Sequence, residues 1–202
     1  MMIYNDLKSM IGEDEKILWE GKPNKKCSIF ESIFNPLLPF SILWAVIDFS
    51  AIVSTFNTRQ ANLLLLIPFF ILHLMPVWIY LGGILLCKKR YDNTYYIITN
   101  QAIYSSKGIL NKQIQSKPFA EMSHINLHRG LFDQFFQVGD IICTSDQMNQ
   151  TMQATINISN ISNYIEIYNM IKKLQLDIYT DIMYPNDKRP QENHGYHTEY
   201  KQ

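Results

Sequence analysis

The 202 residues include 18 Lys and Arg against 18 Asp and Glu, so the formal net charge is zero and no positive field indicates nucleic acid as a partner. The length accommodates two membrane helices and one further domain of about 100 residues, but not a third domain. Three cysteines, Cys27, Cys87 and Cys143, are odd in number and lie far apart without a CxxC pair. They predict neither a disulfide framework nor a zinc site.

Residues 1–36 are predicted to form a cytoplasmic N-terminal segment. Apolar residues at helical spacing predict a short amphipathic helix over residues 3–11, and residues 16–19 have the pattern of a strand. The segment ends with four apolar residues on one helical face: Ile29, Phe30, Ile33 and Phe34. They form either an interfacial helix or an extension of the first membrane helix.

Residues 37–87 contain two apolar runs, 37–56 and 63–87, with a short polar stretch between them. A bilayer hydrocarbon core of about 30 Å needs roughly 20 apolar helical residues to cross it. Both runs reach that length. The sequence therefore predicts a transmembrane hairpin of two antiparallel helices.

Basic residues near the ends of these runs determine the predicted orientation, because Lys and Arg are retained on the cytoplasmic side. The polar stretch between the runs has only Arg59. The flanks contain Lys22, Lys25, Lys26, Lys88, Lys89 and Arg90. We therefore expect a multi-pass protein of the cell membrane with both termini in the cytoplasm.

Two ionisable residues interrupt the apolar runs, Asp48 in the first and His73 in the second. A charged side chain at mid-bilayer costs about 2.5 to 3.5 kcal/mol on insertion scales, so such groups face protein and find partners. In antiparallel helices both residues lie at about the same depth. We expect a hydrogen bond between them, within one hairpin or across a dimer, and the functional alternative is a proton relay. Pro76 predicts a kink beside His73.

After residue 91 the apolar period changes from helical to near two, which predicts a β-rich domain over residues 88–180. Asn100-Gln101 predicts a two-residue hairpin turn, in which Asn tolerates a positive φ. Pro118 is typical of an edge strand and is expected to place residues 113–119 there. A further strand is expected over residues 152–158.

One helix is predicted to follow these strands, with a cap-like start at Asn163. Its apolar stripe is expected to comprise Ile165, Tyr168, Ile171 and Leu174. Residues 181–202 are polar and have no apolar residues at core spacing, so we expect this tail to be disordered.

The order of several short pieces of sequence resembles that of a known family. The pieces are Gly12-Glu13, Leu18 to Pro23, the apolar hairpin, Tyr96 to Asn100, Gly108 to Leu110, and Phe136 to Ile141. They resemble bacterial membrane proteins with a pleckstrin-homology-like (PH-like) domain, the bPH2, YdbS/YdbT-like or DUF304 group, over about residues 12–175. The resemblance implies an α+β or all-β domain with a strongly bent antiparallel sheet of about seven strands, capped by the C-terminal helix.

The chain has no phosphate-binding glycine loop, no GxSxG and no HExxH, and its Ser, His and Asp residues have no catalytic spacing. We therefore expect no enzymatic activity, no cofactor and no small-molecule substrate. His124 and His128 point the same way on a predicted strand but lie about 13 Å apart at about 3.3 Å per residue. The pair therefore predicts solvated histidines and no metal.

Two further groups of residues are candidates for binding. The juxtamembrane residues Lys88, Lys89 and Arg90 can attract anionic headgroups, and they can equally serve only to orient the hairpin. The second group is a predicted docking loop with Phe132, Phe135 and Phe136, which can contact a protein or the membrane, or pack into the core.

The sequence therefore predicts a non-enzymatic integral membrane protein that presents a cytoplasmic PH-like interaction domain, as a scaffold or assembly component at the cell envelope. The expected partners are membrane lipid and other membrane proteins or a second copy of the chain. The alternatives are an adaptor that binds anionic lipid and a small transporter-associated subunit.

Overall fold

The computed structural model describes residues 6–57, 63–109, 111–145 and 155–183. The chain divides into two units. The sheet unit comprises Met1–Cys27 and Arg90–Gln202, and the helical unit comprises Ser28–Lys89. The sheet unit is therefore assembled from both ends of the chain, whereas the sequence places residues 1–36 in a segment of their own.

The described residues of the sheet unit contain seven strands in two antiparallel sheets. The first sheet has the order β1 (Ile17–Gly21), β2 (Tyr95–Thr99), β3 (Ala102–Lys107) and β4 (Gln113–Pro118). The second has the order β5 (His124–His128), β6 (Gly139–Thr144) and β7 (Thr155–Ile161). The strand number agrees with the prediction, but the strands form two sheets rather than one bent sheet.

A short 3-10 helix, Phe119–Glu121, separates the two sheets. Pro118 has no N–H with which to continue a strand ladder, and β4 ends there at the edge of its sheet, as predicted. Phe119 follows directly and is buried in the main core. The change of sheet therefore occurs where a proline stops one ladder and an aromatic ring anchors the chain.

Strands β2 and β3 lie in the middle of the first sheet and are covered on both faces. Tyr96, Ile98 and Ile103 belong to the main core, which also includes buried isoleucines of β6 and β7. Ile97 and Tyr104 pack on the opposite face with Leu7, which lies in a helical turn at residues 6–8. Of the helix predicted over residues 3–11, residues 6–8 are helical and residues 9–11 are not, and residues 3–5 lie outside the described ranges.

The turn between β2 and β3 has the predicted length but not the predicted conformation. Among the described non-glycine residues, a positive φ occurs at Gln137 and Asn160, and not at Asn100. The Asn100 side chain instead accepts a hydrogen bond from the Lys16 N–H at 2.8 Å, and its own N–H donates to the Lys16 carbonyl at 3.0 Å. A residue distant in sequence therefore holds this turn.

Two helices complete the sheet unit. Helix α5 (Leu131–Phe136) lies between β5 and β6, and helix α6 (Tyr164–Met183) follows β7. The buried face of α6 is formed by Ile167, Ile171 and Leu174, at i, i+4 and i+7. Ile171 and Leu174 of the predicted stripe lie on this face, whereas Ile165, where the predicted stripe began, is exposed. Residues 152–154 of the predicted strand and 184–202 of the predicted tail lie outside the described ranges.

The other four helices are α1 (Lys25–Ile33), α2 (Leu37–Asn57), α3 (Leu63–His73) and α4 (Met75–Asp92). Of the described helices, α2 alone is long and apolar enough by itself to cross a membrane. The segments Leu66–His73 and Met75–Asp92 pass the same test together but are bent by 56°. The predicted second span is therefore a broken helix, and most of the polar stretch before it, residues 58–62, lies outside the described ranges.

Helix α1 is separate from α2 and does not extend it. The Asn35 side chain donates to the Ser32 carbonyl at 2.8 Å and accepts from the Leu37 N–H at 2.8 Å, so it ends one helix and starts the next. The Tyr80 hydroxyl donates to the Ile33 carbonyl at 2.9 Å, which joins α1 to α4.

Gly139 tests the packing of α6 on the second sheet. A Cβ at this position would lie 2.8 Å from the Tyr164 ring and 3.2 Å from its Cβ. We expect Gly139→Ala to lower the free energy of unfolding by about 1–3 kcal/mol, because the added Cβ would have no space beside the Tyr164 ring. Thermal unfolding of the full-length protein, followed by circular dichroism, measures this.

Gly82→Ala in α4 is the matched control, because a Cβ there would have no neighbour within 4 Å. It should leave stability unchanged or raise it by up to about 1 kcal/mol. Equal losses for the two variants would contradict the packing argument.

Candidate functional site

Within the described residues of the helical unit, the buried carboxylate of Asp48 and the half-buried imidazole of His73 form a polar centre. His73 Nδ1 lies 2.7 Å from Asp48 Oδ1, and Asp48 is 2% exposed. The hydrogen bond joins α2 to the end of α3. Of the two arrangements considered from sequence, the structure contains the one within a single chain.

His73 is contacted by two aromatic rings in addition to its hydrogen bond with the Asp48 carboxylate. The Trp44 and Phe69 rings both stack with the imidazole at centroid distances of 5.2 Å. The Trp44 indole N–H also donates to the His73 carbonyl at 2.8 Å. Trp44 therefore holds both the ring and the backbone of His73.

The break in the helix at Leu74 explains why the His73 carbonyl needs the Trp44 indole N–H as its donor. Pro76 has no N–H, so the carbonyl of Leu72 loses its usual helical partner, and the ladder changes to a bond from Val77 N–H to the Leu74 carbonyl. A second indole, from Trp78, donates to the Ile71 carbonyl at 3.1 Å. Two tryptophans thus bind carbonyls that the broken helix leaves without an i+4 donor.

One atom of this polar centre has no partner. Asp48 Oδ2 is buried and has no hydrogen bond among the described residues. A buried carboxylate oxygen without a hydrogen bond costs free energy. The arrangement can hold a proton between Asp48 Oδ1 and His73 Nδ1, and it fixes the pairing of α2 with α3.

Sequence reasoning did not identify Trp44 as part of this centre. The signal was present, because an indole N–H inside an apolar run must find an acceptor and a proline-broken helix supplies free carbonyls. Which indole reaches which carbonyl depends on the 56° bend, which the sequence does not specify.

The juxtamembrane residues Lys88, Lys89 and Arg90 are exposed. They lie in the last turns of α4, which runs to Asp92 and so extends beyond the predicted end of the span at residue 87. Consecutive helical residues are about 100° apart, so three of them cover an arc of about 200°. The group is therefore a basic collar around the helix and not a flat patch.

The predicted docking loop with Phe132, Phe135 and Phe136 is a helix, α5. Its first turn is closed by Asp133, whose side chain accepts from the Gly130 N–H at 2.7 Å, and Gln137 ends it with φ 54°. The prediction of a loop was wrong, because a helix of six residues is too short to show a helical period in the sequence. Phe132 and Phe136 are half-buried.

The exposed apolar face of α5 consists of Leu131, which is 84% exposed, and Phe135, which is 77% exposed. They are four residues apart, so they lie on the same side of the helix. Of the predicted docking residues, Phe135 alone belongs to this face, and Leu131 is a residue that the prediction missed.

The chain was compared with protein families, curated proteins and solved structures. The model of the family described as bacterial PH domain matches residues 50–175. The chain belongs to the bacterial PH domain family. No curated protein and no solved structure matches it.

The bacterial PH domain match begins inside α2 and ends inside α6. It therefore includes the broken helix and six strands of the sheet unit, and it omits β1. The antiparallel sheets and the C-terminal helix of the sheet unit agree with this family assignment.

Burial perturbs several titratable groups of the PH-like sheet unit. It raises the pKa of the Cys143 thiol to about 12, so this thiol is neutral at physiological pH. Burial also lowers the pKa of Lys107, whose ammonium donates to the Asn157 carbonyl at 2.6 Å. It raises the pKa of Asp140, where the Asn160 N–H opposes the shift and Asp133 adds to it.

Trp44→Phe tests the polar centre. The variant keeps a stacking ring but removes the N–H, which leaves the His73 carbonyl without its donor in apolar surroundings. We expect a loss of about 1–3 kcal/mol in the free energy of unfolding. Thermal unfolding of the full-length protein in detergent, followed by far-ultraviolet circular dichroism, measures it.

Trp78→Phe is the control, because this side chain is 52% exposed and its N–H bond is longer. Its loss should be the smaller of the two. A Trp44 variant as stable as the wild type would show that the indole does not support the break.

Proposed function

We propose that this chain is a non-enzymatic integral membrane protein, in which the helical unit crosses the membrane as a hairpin and the sheet unit is a cytoplasmic interaction module. In this proposal it acts as a scaffold or assembly component of the cell envelope. The proposal depends on four properties, which are the pairing of β1 with β2, the burial pattern of the helical unit, the exposed basic residues at its ends, and the exposed face of α5.

The pairing of β1 with β2 is the observation on which the proposal mainly rests. Strand β1 precedes the helical unit, β2 follows it, and the two are antiparallel neighbours in one sheet. A sheet cannot have strands on both sides of a bilayer, so the intervening chain must cross an even number of times. If α2 crosses, the broken pair α3 and α4 must return.

The burial pattern of the helical unit supports the membrane as its solvent. Its carboxylate is buried, whereas Leu64 is 83% exposed and Leu85 is 79% exposed. The 21 residues of α2 measure about 31 Å at 1.5 Å per residue, which is close to a hydrocarbon core of about 30 Å. Apolar side chains facing outward are favourable in lipid and costly in water.

The exposed basic residues support the cytoplasmic orientation of the sheet unit. Lys25 and Lys26 precede α2, and the basic collar of Lys88, Lys89 and Arg90 follows the return segment. Basic residues at both ends of a hairpin are retained on the cytoplasmic side.

Single-cysteine labelling in intact cells tests the topology. Asn57→Cys, at the outer end of α2, should react with a membrane-impermeant maleimide, whereas Lys172→Cys on α6 should react only after the cells are opened. Both positions are exposed, and the three native thiols are buried. Labelling of both positions, or of neither, in intact cells would contradict a hairpin with cytoplasmic ends.

The exposed face of α5 supports the interaction role. Two large apolar side chains on one short helix, Leu131 and Phe135, are suited to contact a partner protein. We expect the double variant Leu131→Asp, Phe135→Asp to lose its native complex, as a shift to lower mass in native electrophoresis of mild-detergent extracts.

The control for the α5 experiment changes an exposed polar pair on α6, Lys172→Asp and Lys173→Asp. It should leave the complex intact, and both double variants should retain the wild-type melting temperature. A complex that survives the α5 substitutions would exclude this face as the contact.

A second candidate function is an adaptor that binds anionic lipid through the basic collar, because its three cations are exposed next to a candidate span. The test uses the full-length protein, since a fragment that starts at residue 88 would lack β1 and leave the β2 edge open. Native mass spectrometry should show anionic phospholipid bound to the wild type. The adducts should disappear in the triple Gln variant of the collar and persist in Lys172→Gln, Lys173→Gln.

A further inference from the structure

Three residues with metal-binding side chains converge in the sheet unit. His128 ends β5, Asp133 lies on α5, and Asp140 follows the first residue of β6. One ligand atom from each lies within 4.8 Å of the other two. The antiparallel register that places His128 opposite Asp140 brings two of them together, and α5 supplies the third.

No basic side chain among the described residues forms a direct ion pair with the carboxylates of this cluster. Asp133 is buried and Asp140 is half-buried. The nearby Arg129 guanidinium lies over the Tyr164 ring at 4.7 Å, and its Nε donates to the Val138 carbonyl. Lys107 interacts electrostatically with Asp140, but its ammonium donates to the Asn157 carbonyl and contacts neither carboxylate as an ion pair.

Backbone donors hold both carboxylates in place. The Gly130 N–H donates to Asp133 Oδ2 at 2.7 Å, and the Asn160 N–H donates to Asp140 Oδ1 at 2.7 Å. Asn160 is one of the two described non-glycine residues with a positive φ, so the chain accepts a rare conformation where it makes this bond. The other oxygen of Asp133, Oδ1, accepts from the Cys27 thiol at 3.6 Å, and Asp140 retains an oxygen that does not accept a backbone N–H. Outer groups of this kind commonly orient a metal ligand.

We propose that His128, Asp133 and Asp140 bind one divalent transition-metal ion, with zinc as the ion to test. One imidazole nitrogen and two carboxylate oxygens are ligands that Zn²⁺ accepts, and the exposed position of His128 leaves a fourth position open to water. The ion would add positive charge in direct contact with the two carboxylates. It would also join β5, α5 and β6, and so fix the helix with the exposed residues Leu131 and Phe135.

Sequence reasoning examined His128 only with His124, four residues earlier on the same strand. That pair is too far apart for one ion, as the strand geometry requires. The partners of His128 come instead from the next helix and the neighbouring strand.

Equilibrium binding to the full-length protein tests the proposal. The protein is purified in detergent without a polyhistidine tag and treated with chelator, and ZnCl₂ is then titrated by isothermal calorimetry. We expect one Zn²⁺ per chain and a higher melting temperature when the ion is bound. His128→Gln should weaken binding at least tenfold, and so should Asp140→Asn.

His124→Gln is the matched control, because His124 lies on the same strand and is also exposed. It should bind zinc as the wild type does, and circular dichroism verifies that all variants are folded. The proposal is overturned if the wild type takes up no zinc, if His128→Gln binds it with unchanged affinity, or if His124→Gln loses binding equally. It is also overturned if Mg²⁺ binds as tightly as Zn²⁺.

Discussion

The helical unit depends on one constraint, that backbone carbonyls freed among apolar side chains need new hydrogen-bond donors. Pro76 and the bend at Leu74 free backbone carbonyls in the middle of an apolar segment. Trp44 and Trp78 donate to two of them, and the Asp48–His73 bond joins the other helix to the same place. The polar and indole side chains within the apolar runs are therefore those that stabilise the broken helix.

The sequence predicted the parts of this protein that depend on local periodicity. The strands β2 and β3 were visible because their apolar residues fill both faces of a central pair. The Asp48–His73 bond followed from depth alone, since antiparallel helices with a short connection leave little freedom in register. Family membership was recognised from the order of short pieces, of which Tyr96 to Asn100, Gly108 to Leu110 and Phe136 to Ile141 lie within the matched residues.

The features that the sequence did not reveal depend on contacts between distant elements. Asn100 keeps an ordinary φ because Lys16 binds its side chain and its N–H, and those two residues are 84 positions apart. Helix α5 is too short to show a period, so its Phe residues were assigned to a loop. The grouping of His128 with Asp133 and Asp140 required the β5–β6 register as well as the position of α5.

The position of β1 at the start of the chain has a consequence for biosynthesis. Ile17–Gly21 is made long before its neighbour Tyr95–Thr99, and all of the helical unit is made between them. In the proposed topology, insertion of the hairpin returns the chain to the side of the membrane on which β1 already lies. This lowers the entropy lost in closing so long a loop. Completion of the sheet would then report that both helices have inserted, and a chain with one failed crossing would keep an open strand edge for quality-control proteases and chaperones to recognise.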